Sequence, residues 1–191
     1  MSIVLGFASE TKAILMSDGR VLDNNTKHII TENYPKVYHI NDKVAIGYTG
    51  IKELGECLTN NLFLRFQSEI DLLNMDIVAS ALSCIAKEIE SSLEIQLPIQ
   101  VLIAGIDFSG NMALSYFSKA NNFEVQKYVT TKDDSCYVAL NPDSLIGRDV
   151  AGEFLSDYTL PVRDRMKNCI EYVAKIDSTV NNNVFELNIS L

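Results

Sequence analysis

The sequence predicts an α+β fold, a four-layer αββα sandwich of two mainly antiparallel sheets flanked by helix pairs. Strand-like segments come in blocks and are followed by pairs of helix-like segments, in the order ββββ-αα-ββββ-αα-β. In a parallel doubly wound sheet the elements would instead alternate singly. Each sheet needs one face covered, and a pair of amphipathic helices can cover it. No repeat or linker divides the 191 residues, so we predict one domain over residues 1–191.

The first half contains two predicted hairpins and two predicted helices. Four β-rich runs are predicted to be strands: 3–8, 12–17, 36–40 and 44–49. Over residues 51–66 and 78–93, apolar side chains recur every three or four positions, which is typical of an amphipathic helix. Either Asn74 or Asp76 could cap the start of the second helix. The polar stretch 18–35 is predicted to be a connection.

The second half repeats this order. Four more runs are predicted to be strands: 100–107, 112–117, 124–129 and 135–139. A helix is predicted over 144–156, and a longer one has Pro161 in its first turn, where the missing N–H costs nothing. The longer helix is predicted to bury a stripe that runs from Val162 to Ile176. A final strand is predicted over 184–189.

Composition excludes several classes of function. The formal net charge is −9 and the cationic residues are scattered, so we expect no nucleic-acid partner. No apolar run approaches the ~18 residues of a membrane span, and the start lacks a signal peptide's basic region. We therefore expect a cytoplasmic protein without a membrane partner. The four cysteines are expected to be reduced and buried, and the two histidines lack ligand spacing, so no metal or other cofactor is expected.

Four residues suggest a catalytic mechanism when they are considered together, although each has an ordinary structural explanation. Removal of Met1 would give Ser2 a free α-amine beside its hydroxyl, with an ordinary pKa of about 7.7–8.0, so that one residue would supply both nucleophile and base. While Met1 is attached, that nitrogen is an amide without basicity. A buried Lys36 would disfavour protonation of the amine, and Asp18 would hold Lys36. The N–H of Gly50, at a strand-to-helix turn, can face a developing oxyanion.

The segments around these residues resemble a known family. Four segments of the N-terminal third carry the resemblance: residues 2–4, 13–20, 35–40 and 45–50. In order and spacing they are similar to the β-type proteasome subunits, and in particular to bacterial proteasome-like proteins, of the N-terminal nucleophile hydrolase superfamily. Residues 101–107 further resemble the strand that opens the second half of the family's fold. The resemblance spans nearly the whole chain and implies the αββα fold. It implies Ser2 as the nucleophile, Asp18 and Lys36 as its charged partners, and Gly50 as the oxyanion donor, with no propeptide beyond Met1.

The sequence also departs from the family pattern. The family nucleophile is threonine, and serine lacks the methyl group that restricts its rotamer. Asp177 fits the family's supporting aspartate, but Val180 stands where its companion serine is expected. Asn141 is at best a substitute for a second supporting serine. Altered supporting residues can leave a nucleophile present but poorly aligned.

The resemblance implies a threonine-peptidase-like hydrolase that cleaves peptide bonds inside a homo-oligomeric ring, with an ATPase unfoldase as a possible partner. By the same comparison, Tyr48 would form the base of the primary specificity pocket and favour small side chains before the scissile bond. Equally, Tyr48 could be a strand residue packed under a helix. Two alternatives stay open, a catalytically inactive proteasome-like scaffold and a small-molecule amidase of the same superfamily. The amidases often use cysteine, which this N-terminus lacks.

Overall fold

The computed structural model describes residues 2–23, 25–93, 98–140 and 145–191. Within these ranges the chain forms eleven strands and four α-helices. The strands are β1 Val4–Ser9, β2 Lys12–Ser17, β3 Val21–Leu22, β4 Ile29–Thr31, β5 Val37–Asn41, β6 Val44–Gly50, β7 Ile99–Ile106, β8 Met112–Ser118, β9 Gln126–Val129, β10 Ser135–Leu140 and β11 Phe185–Ser190. The helices are α1 Lys52–Arg65, α2 Met75–Leu93, α3 Leu145–Leu155 and α4 Val162–Ile176.

The strands form two large sheets and one short ladder. One sheet has the order β10-β1-β2-β11 and the other the order β5-β6-β7-β8-β9, and neighbouring strands in both are antiparallel. β3 and β4 pair separately. The predicted pair of antiparallel sheets is confirmed.

Three hydrophobic layers separate the four structural layers. α1 and α2 cover the five-stranded sheet, the two sheets pack face to face, and α3 and α4 cover the four-stranded sheet. Fully buried side chains mark the three layers in that order: Leu62, Leu82 and Phe117; Val4, Leu102 and Leu114; Leu5, Met166 and Ile170. The αββα prediction is therefore confirmed, because each sheet buries both faces and each helix pair buries one stripe.

The structure corrects the predictions in three places. Part of the predicted connection 18–35 forms the β3–β4 hairpin. Its strands have only two and three residues in a polar segment, which is too short for an alternating pattern to show in the sequence. Ile176 is 49% exposed, because α4 ends there and the stripe it continues runs past the edge of the sheet. The prediction that the four cysteines are buried holds for Cys169 alone, since Cys57 and Cys136 are half-buried and Cys84 is exposed because it faces outward on α2.

The start of α2 resolves the alternative between two capping residues. The N–H of Ile77 donates to Oδ1 of Asn74 at 3.1 Å, so Asn74 caps the helix. Asp76 instead accepts a hydrogen bond from the N–H of Phe108, in the β7–β8 turn. Asp76 therefore fixes that turn against the helix.

Within the described ranges, none of the helices combines the length and the hydropathy that a membrane span requires. Nor do three or more His, Cys, Asp or Glu side chains of these ranges come together as metal ligands would.

Candidate active site

A buried ion pair lies where strands of the two sheets end. Asp18 directly follows β2 of one sheet, and Lys36 directly precedes β5 of the other. The Lys36 Nζ lies 2.8 Å from Oδ1 of Asp18, and the two side chains are 4% and 0% exposed. Burial lowers the pKa of the Lys36 ammonium below its ordinary value, and the Asp18 carboxylate opposes that shift.

The Asp18 carboxylate is also bound to the beginning of the chain. Its Oδ1 accepts a hydrogen bond from the N–H of Ile3 at 3.0 Å, and its Oδ2 accepts one from the N–H of Arg20 at 3.0 Å. The Asp18 N–H in turn donates to the carbonyl of Ile3 at 3.3 Å. Asp18 therefore links the residue after Ser2 to the Lys36 ammonium, and three donors hold its carboxylate in one orientation.

Ser2 lies on the wall of a cavity of about 600 Å³. Ser2 is 4% exposed. The same cavity is lined by Lys36, Tyr48 and Gly50. The structure thus brings Ser2, Lys36 and Gly50 to one space, with Asp18 directly behind Lys36. Met1, whose removal the mechanism requires, lies outside the described residues.

Gly50 ends β6 with a backbone that requires glycine. Its φ is +112°, and a Cβ at this position would lie 2.1 Å from the carbonyl oxygen of Pro98. Two residues earlier, the N–H of Tyr48 donates to the carbonyl of Lys36 at 3.1 Å. Because N–H groups two residues apart point to the same edge of a strand, the Gly50 N–H points past the start of β5, where the cavity lies.

Tyr48 lies in a strand and packs under α1, and it also lines the cavity; its role as the base of a specificity pocket stays a prediction. Its ring packs against Gly55 of α1 and stacks on Tyr38, with ring centroids 6.0 Å apart. Its hydroxyl is hydrogen-bonded to that of Tyr34 at 2.9 Å, and Tyr34 donates to Glu56 at 2.8 Å. Burial raises the pKa of Tyr48 well above its usual range, so the hydroxyl stays neutral.

The supporting residues differ from the pattern that the resemblance implies. The Asp177 carboxylate accepts hydrogen bonds from the N–H and Oγ1 of Thr179, at 2.8 and 2.6 Å, and it is Thr179 that reaches the cavity wall. Val180 is 1% exposed in the core between the four-stranded sheet and α4. Asn141 lies outside the described residues. The supporting role of Asp177 stays a prediction.

Sequence reasoning missed three polar residues around the cavity. Tyr34 and Thr179 line it, and Asn181 binds the backbone directly behind Asp18. The asparagine run 181–183 was visible in the sequence, but its partners lie about 150 to 160 residues away. No local pattern signals contacts at that separation.

This arrangement contains most of the groups that acyl transfer needs. Ser2, Lys36 and Gly50, which carry a hydroxyl, an ammonium and a strand-end N–H, line one cavity, and the Asp18 carboxylate is paired with the ammonium. The remaining group, a general base, would be the α-amine of Ser2 once Met1 is removed.

Comparison with known proteins identifies the architecture. The crystal structure of eukaryotic HslV from Trypanosoma brucei superimposes on this chain with a TM-score of 0.70, over 99% of each chain, at 14% sequence identity. The chain has the HslV fold. No protein-family model matches the sequence, and no curated protein matches it. The comparison therefore establishes the proteasome-like fold and leaves the chemistry to be argued from the site.

The ion pair predicts a large stability difference between two carboxylate substitutions. Asp18→Asn would leave the Lys36 ammonium buried without its carboxylate, so we expect the free energy of unfolding to fall by about 3–5 kcal/mol. Glu88→Gln breaks an exposed ion pair, in which the side chain of Arg65 is 42% exposed and that of Glu88 56%. This substitution should lower the free energy of unfolding by at most about 1 kcal/mol. Urea unfolding at neutral pH measures the free energy of unfolding of both variants. Equal decreases would show that the buried pair stabilises the fold no more than the exposed one.

Proposed function

We propose that this chain is an N-terminal nucleophile hydrolase that cleaves peptide bonds with Ser2 after removal of Met1. The observation that carries the proposal is the shared cavity. Ser2 lines it together with Lys36, the Lys36 ammonium is held 2.8 Å from Asp18, and Asp18 is bonded to the N–H of Ile3. The comparison with HslV supports the proposal at the level of fold.

In the proposed reaction, Oγ of Ser2 attacks the substrate carbonyl and its proton passes to the α-amine of the same residue. The N–H of Gly50 stabilises the resulting oxyanion. The protonated amine then donates its proton to the leaving amine, and the acyl-enzyme ester forms. Water hydrolyses this ester, with the α-amine again acting as base.

Lys36 controls the protonation state of that amine. Lys36 lines the same cavity as Ser2, so its ammonium would disfavour a second positive charge nearby and keep the α-amine unprotonated near neutral pH. Asp18 holds Lys36 in position and offsets part of the cost of burying it.

The proposal includes the substrate and the assembly. Tyr48 lines the cavity and is buried, so we propose that its ring forms the floor of the primary specificity pocket and that the peptide substrates have small side chains before the scissile bond. By analogy with the proteasome-like fold, we propose that copies of the chain form a cytoplasmic ring and that an ATPase unfoldase supplies the substrate.

A catalytically inactive scaffold is the second candidate. Val180, buried in the core, cannot supply the hydroxyl that the family pattern places there, which favours this alternative. Intact mass of the untagged protein, before and after treatment with an electrophilic inhibitor, separates the two candidates. Loss of Met1 followed by covalent labelling at Ser2 supports the enzyme, and an unlabelled chain that keeps Met1 supports the scaffold.

The Ser2 hydroxyl should be essential. We expect Ser2→Ala to abolish peptide hydrolysis and labelling by an electrophilic acylating probe, and Ser2→Thr to retain both. Ser17→Ala is the matched control, because the Ser17 Oγ is buried without a hydrogen-bond partner among the described residues. Full turnover by Ser2→Ala would exclude the proposed nucleophile.

The pH dependence should report the α-amine. We expect kcat/KM to rise with pH as the amine loses its proton, with an apparent pKa below its ordinary value of about 7.7–8.0. Replacing the neighbouring cation, in Lys36→Met, should move the rise to higher pH. Lys52→Met removes a more exposed lysine of the same cavity and should leave the apparent pKa unchanged. A shift to lower pH in Lys36→Met would contradict the role given to Lys36.

The cavity floor should determine specificity. In a panel of fluorogenic peptides that differ only in the residue before the scissile bond, we expect alanine to give a higher kcat/KM than leucine, and leucine a higher value than tyrosine. The reason is the Tyr48 ring, which is held in place by its stacking on Tyr38. A preference for the aromatic residue would show that the cavity accommodates substrate elsewhere.

A further inference from the structure

One buried amide connects a distant loop to the turn that carries Asp18. Asn181 lies between α4 and β11 and is 5% exposed. Its Oδ1 accepts a hydrogen bond from the N–H of Gly19 at 2.9 Å. Its Nδ2 donates to the carbonyl of Glu32 at 2.8 Å and also to the Glu32 carboxylate. Both ends of the amide are therefore used, and its orientation is fixed.

The backbone of Gly19 is hydrogen-bonded to two other segments, so the turn at Gly19 cannot move independently of them. Its N–H is bound by Asn181, and its carbonyl accepts a hydrogen bond from the N–H of Tyr34 at 2.9 Å. A Cβ at Gly19 would lie 2.6 Å from the carbonyl oxygen of Glu32, so the backbone runs against the neighbouring segment. Asp18 is the preceding residue, and any displacement of Gly19 moves the Asp18 carboxylate as well.

A second connection joins the same loop to the turn, this time through a side chain of the turn. The Arg20 guanidinium pairs with Glu32 at 3.0 Å and donates to the carbonyl of Ser178. The hydrogen bond from Arg20 lowers the pKa of Glu32, so this carboxylate stays charged and remains an acceptor for Asn181. The loop and the turn thus hold each other through two side chains, one from each.

We propose that Asn181 is a positioning residue of the candidate active site, which holds the turn at Gly19 and thereby keeps the Asp18 carboxylate against Lys36. The inference rests on the proposed function. Val180 stands where the family pattern has a serine, and this position therefore lacks a hydroxyl. The next residue, Asn181, supplies a buried polar group to the same region. Asn181 contacts neither Ser2 nor the cavity wall in this role and acts through the backbone of Gly19.

Asn181→Ala tests this role, and Asn183→Ala is the matched control. Asn183 belongs to the same loop and donates to the same carbonyl of Glu32, at 2.9 Å, but it is exposed and does not bind the turn through its side chain. In the mature chain we expect Asn181→Ala to lower kcat by about tenfold to a hundredfold with little change in KM, since misplacing a catalytic group costs rate more than binding. Asn183→Ala should keep kcat.

The second readout does not depend on turnover. The pKa of the Lys36 ammonium, measured by NMR titration of the chain with isotope-labelled lysine, should fall in Asn181→Ala because a displaced Asp18 stabilises the charge less. The pKa of Lys36 should be unchanged in Asn183→Ala. An unchanged or raised Lys36 pKa in folded Asn181→Ala overturns the positioning role. If the wild-type chain shows no turnover, the proposed function fails, and the titration still decides about Asn181.

Discussion

The buried pair of Lys36 and Asp18 is the interaction on which the geometry of the site depends. Asp18 ends β2 in one sheet and Lys36 precedes β5 in the other, so their contact joins the two sheets at one end of the sandwich. Neither charge could stay at this depth without the other, because an unpaired buried charge costs several kcal/mol. The hydrogen bond from the N–H of Ile3 adds the start of the chain to the same junction. The packing of the sheets therefore determines where Ser2 lies.

The sandwich architecture explains why the candidate groups come from strand ends. Within a strand the backbone N–H and carbonyl groups are used in the ladder, but at a strand end they become available to other partners. Gly50 ends β6 and Lys36 precedes β5, and both residues line the cavity, which therefore lies beyond the start of β5. Tyr48, within β6, also lines the cavity. The hydrophobic layers thus provide a rigid frame, and the polar groups occupy its open edge.

Local patterns predicted the elements well, because each hydrophobic layer imposes its own period on the sequence. The pairing of Asp18 with Lys36 was expected from the mechanism considered for Ser2 and from the family resemblance, because the two residues adjoin strands of different sheets and no local pattern brings those strand ends together. The β3–β4 hairpin escaped prediction because its strands are too short to show alternation. Asn181 escaped for a different reason: its partner Gly19 is 162 residues away, and only the closed fold brings the two together.

The ion pair also bears on the choice between an enzyme and a scaffold. A protein that needed only the fold would gain nothing from burying a lysine and an aspartate here, because well-packed apolar residues of similar volume are equally stable or more stable. The three donors around the Asp18 carboxylate offset part of the cost of burying its charge, and the hydrogen bonds of Asn181 fix the neighbouring turn. Such an arrangement is useful when a charge must be presented to a neighbouring reactive group. Because Ser2 lies on the cavity that the Lys36 side chain lines, we favour the hydrolase over the scaffold.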